Sequence, residues 1–327
     1  MRSNLQALLL FLLSPLAASV AYPSPALTAG RDNQGSELLR YIQSEGANPA
    51  CGVCLGAAQK YFSDKEKSEV AKLTGGMVRV ESGRYRLGSP DSIGDPDEHP
   101  SEEIALDAFY IDRAEVSIKD YMQFVTASGA NHPEWAAPNG RFNMTTGTKD
   151  YYKRLSTLVK ACTSCPVFGV SWENANAYCH WKKRRLPTEA EWEAAARAGT
   201  GDPYPSGLLP VGTVAYAWIL DNAKSVPHPA AQKKPNRLGL YDMYGNVWEW
   251  VGDFYDKDYY ARRSITNPDG PKTGKEHAIR GGAWSSDMYS ARPGNRASSR
   301  DANDDIGFRC AVSETALLAQ IEADSGF

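Results

Sequence analysis

Two carboxylates, Asp242 and Glu249, bracket a Gly245-Asn246 turn within the run Gly239-Leu240-Tyr241-Asp242-Met243-Tyr244-Gly245-Asn246-Val247-Trp248-Glu249-Trp250. Their charged oxygens and the turn's backbone carbonyls can converge on one point, and a hard divalent cation takes that kind of oxygen cage. The competing chemistry is a capped turn whose carboxylates make ordinary hydrogen bonds. Thiols form the second reactive set. Cys51 and Cys54 make one C-x-x-C pair, Cys162 and Cys165 another, and Cys179 and Cys310 remain. An even count of six suits an oxidising compartment. The two pairs read as local disulfides, as redox-active dithiols or, jointly, as a four-thiolate zinc site. Neither is followed by histidine, which argues against covalent haem.

The segments that carry these groups differ in character. Arg2 precedes an apolar run from Leu5 to Val20, and Ser19-Val20-Ala21 offers small side chains at cleavage positions, so residues 1–21 read as a secretory signal peptide. The run is too short and too interrupted for a membrane span, and no later run is longer. The formal charge of −3 comes without a basic stripe, so nucleic acid is not an expected partner. A periplasmic or secreted protein is expected. Residues 22–34 read as a flexible leader and 35–73 as a helical module around the first C-x-x-C. Beyond Gly75, residues 77–80 and 85–88 read as two short strands around a Ser82-Gly83 turn, and 104–111 as one strand. Ser117 caps a helix that ends at Gly129, Ser171 begins a second through Cys179, and Thr188-Glu189-Ala190-Glu191 is a capping box behind Pro187. Past Gly199 periodicity is scarce, and such a stretch needs staples. Residues 314–327 read as a C-terminal tail, and Asn143-Met144-Thr145 fits a glycosylation sequon.

The order of short motifs is more specific than any one of them. Gly75-Gly76-Met77 and Leu87-Gly88 are followed by Ala108-Phe109-Tyr110-Ile111-Asp112 with Glu115-Val116-Ser117. Val170-Ser171-Trp172 with Ala177-Tyr178-Cys179 comes next, then Arg185-Leu186-Pro187-Thr188-Glu189-Ala190-Glu191-Trp192. The 239–250 run, Arg280-Gly281-Gly282-Ala283-Trp284 and Ile306-Gly307-Phe308-Arg309-Cys310 complete the series. Over residues 75–313 this resembles the formylglycine-generating enzyme family, the sulfatase-modifying factor domain. The resemblance implies an α+β, complex C-type-lectin-like fold with little regular secondary structure. It implies one calcium ion held by the side chains of Asp242 and Glu249 and the carbonyls of Gly245 and Val247. It also implies a disulfide between Cys179 and Cys310. A second calcium site is not expected, because residues 216–235 are short and lack the family's pattern.

One block departs from the family. Its enzymes bind copper(I) through two cysteines after the Gly-Gly pair, and here Ser286 and Ala291 stand at those positions. Neither a hydroxyl nor a methyl replaces a thiolate, so neither copper nor sulfatase activation by the familial route is expected. The histidines His99, His132, His180, His228 and His277 are dispersed, which gives no iron motif. Two functions stand. The first is an exported maturation or modification enzyme of oxidoreductase type, similar to the family member that oxidises a siderophore chromophore. Its catalytic candidates are Ser286, Asp287, Tyr289 and Arg292, with Trp248, Trp284 and Arg296 lining a groove for an exported protein or small molecule. The second is a non-catalytic, calcium-stabilised binding or scaffold protein in which those side chains serve packing and surface roles. An enclosed pocket beside Trp248 favours the first reading and an open surface the second.

Overall fold

The computed structural model describes residues 64, 67–140 and 150–324. The expected signal peptide and leader, the Cys51/Cys54 pair and the Asn143 sequon lie outside the described residues. The chain divides into two compact units, residues 1–75 with 320–327 and residues 76–319. In the first unit residues 67–73 are helical, and Thr74 closes the helix by donating from N–H and Oγ1 to Val70 O. The second unit holds every group discussed below.

That unit builds three small sheets. Strands β1 (Met77–Val80), β4 (Phe109–Asp112) and β9 (Ala311–Ser313) form an antiparallel sheet, with Val78 opposite Ile111 and Tyr110 opposite Val312. Strands β2 (Gly83–Leu87) and β3 (Glu102–Leu106) pair antiparallel, Tyr85 opposite Ile104. The third sheet runs β7-β6-β5-β8, from β5 (Trp248–Phe254), β6 (His277–Arg280), β7 (Arg296–Ser299) and β8 (Ile306–Phe308). Its β5–β8 pair is parallel.

Two expectations are corrected here. The strands around Ser82-Gly83 do not pair with each other; β1 and β2 enter different sheets. The alternation over 104–111 is two strands, broken at Asp107-Ala108, and each half again joins a different sheet. The physical reason is shared. A hairpin turn fixes only local geometry, whereas these strands find apolar partners far along the chain.

The helices start where their caps predict. In α1 (Ile118–Ser128) Ser117 Oγ accepts from Asp120 N, and Gly129 ends the helix at φ 70°. After α2 (Asp150–Ala161), α3 (Trp172–Trp181) begins with Ser171 Oγ accepting from Asn174 N. The capping box of α4 (Glu189–Arg197) is complete, with Thr188 and Glu191 exchanging hydrogen bonds. The tail contains a further helix, α5 (Glu314–Asp324).

The core has two parts, and β5 is buried between them. Trp250 joins Tyr121, Phe124, Phe168, Tyr178 and Phe308. Its neighbour Val251 joins Ile104, Phe109, Trp192, Leu240 and Met243. Successive side chains leave a strand on opposite faces, so one strand anchors both parts. Cys179–Cys310 forms as the resemblance implied, tying α3 to the chain before β9 across 131 residues. Closing a loop of that length stabilises the fold by about 4–5 kcal/mol in the chain-entropy account. Cys162–Cys165 is a local disulfide, which resolves the alternatives for that pair.

Candidate functional site

The 239–250 turn is built by backbone conformations that only certain residues accept. Asp242 and Asn246 take positive φ, 57° and 71°, a region tolerated by short polar side chains. Gly245 lies so close to Trp218 that an added Cβ would sit 2.3 Å from its carbonyl oxygen. Asn246, fully buried, is the hub. Its N–H donates to Trp218 O at 2.8 Å, its Oδ1 accepts from His228 N at 2.8 Å, and its Nδ2 donates to Glu115 Oε1 at 3.1 Å.

The two expected carboxylate ligands meet different fates. Glu249 is saturated: Arg309 Nη2 donates to Oε1 at 2.6 Å, and Arg309 Nε and Trp192 Nε1 both donate to Oε2 at 2.7 Å. Asp242 Oδ2 accepts from Ala231 N at 2.7 Å, but its Oδ1 is buried with no hydrogen-bond partner among the described residues. A second orphan is Glu115 Oε2. Burial pushes Asp242 up to about 6 and Glu115 well above the ordinary carboxylate range, the Asp242 charge adding to the push on Glu115. Two buried carboxylates, each with an unsatisfied oxygen, call for a shared proton or a cation. Asp242 therefore keeps an oxygen that an ion could take, whereas both oxygens of Glu249 already accept hydrogen bonds. Glu115 is the group that sequence reasoning missed. It stands alone between Ala114 and Val116, and only the fold carries it to the turn. Among the described residues no cluster of three or more His, Cys, Asp and Glu surrounds a metal position.

Of the expected catalytic groups, Tyr289 and Arg292 pack on each other, while Ser286 and Asp287 make short-range bonds of their own. Ser286 Oγ accepts from Ala283 N at 3.0 Å and its carbonyl accepts from Leu220 N. Asp287 Oδ1 caps the Ser290 amide at 3.0 Å. Arg292 is buried and makes two 2.6 Å bonds to the Glu98 carboxylate, with Tyr289 stacked 4.0 Å above its guanidinium. Burial raises the Glu98 carboxyl, yet Arg292 and Ser89 together hold it below the ordinary value. Arg296 is bound bidentately to Glu189 at 2.7 and 2.8 Å. Trp284 packs in the core, Trp248 is half-buried at its edge, and Ala291 is fully buried. A cleft of 490 Å³ lies at Arg154, Leu158, Lys224 and Val226, and another of 340 Å³ at Arg86, Asp91, Ser101 and Arg197.

Beneath this block runs a buried ion network. Glu193 accepts from Arg197 Nε at 2.7 Å, Arg280 Nη2 at 2.7 Å, Tyr260 Oη at 2.5 Å and Gly88 N at 2.8 Å. Burial disfavours its charge, but Arg197 and Arg280 prevail and bring the carboxyl down to about 2. A partial signal existed: Glu189, Glu193 and Arg197 fall four residues apart on α4, one helix face.

Residues 61–314 match the sulfatase-modifying factor enzyme 1-like domain. The chain belongs to that family. The formylglycine-generating enzyme of Streptomyces coelicolor is 31% identical over 282 residues, covering 73% of this chain and 89% of that enzyme. Serine/threonine-protein kinase pkn1 of Chlamydia caviae is 34% identical over 261 residues, covering 76% of this chain and 40% of its own. The match thus spans about two fifths of the chlamydial relatives' length. The solved structure of PvdO from Pseudomonas aeruginosa superposes with a TM-score of 0.59 at 25% identity, covering 72% of this chain and 94% of that one. The mixed helix-and-sheet fold is the formylglycine-generating-enzyme-like fold expected.

Proposed function

We propose that this chain is an exported, non-catalytic binding protein on the formylglycine-generating-enzyme scaffold. The carrying observation is that Arg292 and Arg296, which would face a substrate, are committed to buried carboxylates Glu98 and Glu189. With serine and alanine at the copper-cysteine positions, the block supplies shape and stacking surface rather than redox chemistry. Export rests on the signal-peptide pattern, and the two disulfides are compatible with it. A structural calcium ion belongs to this reading, held through Asp242 Oδ1 and Glu115 Oε2 with carbonyls of the 245–247 turn. Such an ion would neutralise two buried charges and fix the turn; no reaction step passes through it.

Metal analysis of the purified full chain, with turnover of a sulfatase-derived cysteine peptide, tests the proposal. Calcium alone and an unmodified peptide are expected. Stoichiometric copper or iron, or consumption of the peptide thiol, would overturn it. The modification-enzyme reading retains one supporting observation: Tyr289 is 38% exposed beside the Asp287 cap, so a phenol and a carboxylate do reach solvent together.

A further inference from the structure

Exposed aliphatic side chains are concentrated in one place. Of the eight large hydrophobic residues exposed among those described, five fall between Leu208 and Leu220. Leu208, Leu209 and Val211 are 76%, 68% and 81% exposed. The loop that presents them is tied at its base. Tyr204 and Gly207 exchange backbone hydrogen bonds at 3.0 and 3.1 Å, Ser206 Oγ donates to Leu209 O at 2.9 Å and meets Thr213 Oγ1 at 3.2 Å, and Thr213 N donates to Pro210 O at 3.0 Å. Above these bonds the loop projects three aliphatic side chains.

The stretch of chain that carries the loop is mostly positive in its charges. Residues 199–240 contain Lys224, Lys233, Lys234 and Arg237 against Asp202 and Asp221, with no glutamate, in a chain of net charge −3. Lys233 Nζ donates to Val214 O at 2.7 Å and lies 3.8 Å over the Trp218 ring; Lys234 N donates to Ala215 O, and its ammonium sits above Tyr216. Both lysines are therefore fixed at the stem of the loop, above half-buried aromatic rings.

We propose that the 208–211 loop docks on an anionic phospholipid surface, with Leu208, Leu209 and Val211 entering the acyl boundary and Lys233 and Lys234 meeting headgroup phosphates. Aliphatic insertion combined with lysine attraction is how peripheral proteins hold such surfaces, and Trp and Tyr favour the headgroup level. Composition separates this from a protein interface, whose energetic centres are aromatic and arginine side chains, none of which stands at the exposed end. The proposal is independent of whether the block at Ser286 is catalytic.

Flotation of the full chain with phosphatidylcholine vesicles, with and without phosphatidylglycerol, tests it. Binding to the anionic vesicles and its loss in Leu208→Ser/Leu209→Ser/Val211→Ser are expected, with an unchanged melting curve because the side chains are exposed. Lys234→Gln should weaken binding about fivefold, and added salt should do the same. Failure of the wild type to float, or equal flotation of the triple-serine variant, refutes the proposal. A concentration-dependent dimer abolished by the triple-serine change, without vesicle binding, would assign the loop to a second copy instead.

Discussion

Replacing Arg292 by Met distinguishes a structural guanidinium from a catalytic one. Arg292 and Glu98 are both fully buried side chains joined by two 2.6 Å bonds. Removing the cation leaves Glu98 ionised in a dry site with only Ser89 and the Asp95 amide as partners. Losing one member of such a pair costs about 3–5 kcal/mol. In a unit of this size each kcal/mol moves Tm by about 2–4 °C, so R292M should melt about 6–20 °C below wild type. The double variant E98Q/R292M removes the stranded charge and retains the Ser89 and Asp95 contacts. Since replacing a buried pair by neutral groups is close to neutral, it should recover more than half of the loss. Thermal and urea unfolding of wild type, both singles and the double variant give the coupling energy directly. If R292M melts with the wild type, or the double variant shows no coupling, Arg292 is not structurally committed and the non-catalytic reading loses its main support.

Calcium added to chelator-treated protein should raise Tm by the equivalent of about 2.7 kcal/mol at a hundredfold excess over Kd. Glu115→Gln and Asp242→Asn should each remove that increment, and a full calcium response in Glu115→Gln would place the ion elsewhere. Glu193 has a folded pKa of about 2 against an ordinary 4.5. A depressed carboxylate contributes stability that is present above the ordinary value and is lost as pH falls from 4.5 towards 2, here about 3 kcal/mol. The acid limb of the Tm profile should be shallower in Glu193→Gln, and an unchanged limb counts against the network. Asp253 has the opposite sign: burial and then Glu189 push it well above its ordinary value. It stays protonated in the fold while the unfolded carboxyl ionises, so stability falls as pH rises through 3.8. Asp253→Asn keeps an acceptor for the Glu189 amide and should melt higher than wild type at neutral pH; a lower melting point would show that the ionised form is stabilising.

Sequence disclosed the helix starts and concealed the strand partners for one reason. Ser117, Ser171 and Thr188 act on amides only three residues away, so their signal is contained in a short window. The pairing of β1 with β4, and of β4 with β9 some 200 residues later, is decided by burial of Ile111 and Val80 against residues no local pattern names. The same distinction divides the site. Asp242 and the Gly245-Asn246 turn were legible because positive φ selects their residue types. Glu115 was hidden because its partner, Asn246, is 131 residues away. Glu249 carried the right chemistry, but whether its oxygens were free depended on Arg309, a residue of another strand's end.

The buried arginines explain how such a chain can lose its thiolates and keep its shape. Between Phe254 and Ile306 only two four-residue strands carry ladder hydrogen bonds, so backbone pairing alone positions little of this region. Guanidinium forks do it instead. Arg280 reaches Glu193 and the carbonyls of Pro293 and Gly294, Arg292 reaches Glu98, and Arg296 reaches Glu189 and Asp97 O. Every one of these anchors lies outside positions 286 and 291, and the hydrogen bonds of Ser286 among the described residues run to Ala283 and Leu220. Substitution at position 286 therefore leaves the guanidinium anchors in place, whereas Ala291 is itself part of the buried core. Planar five-donor groups also hold direction as well as distance, which a lysine in the same places would not. The block's chemistry and its architecture are carried by different residues, so the absence of one is no evidence against the other.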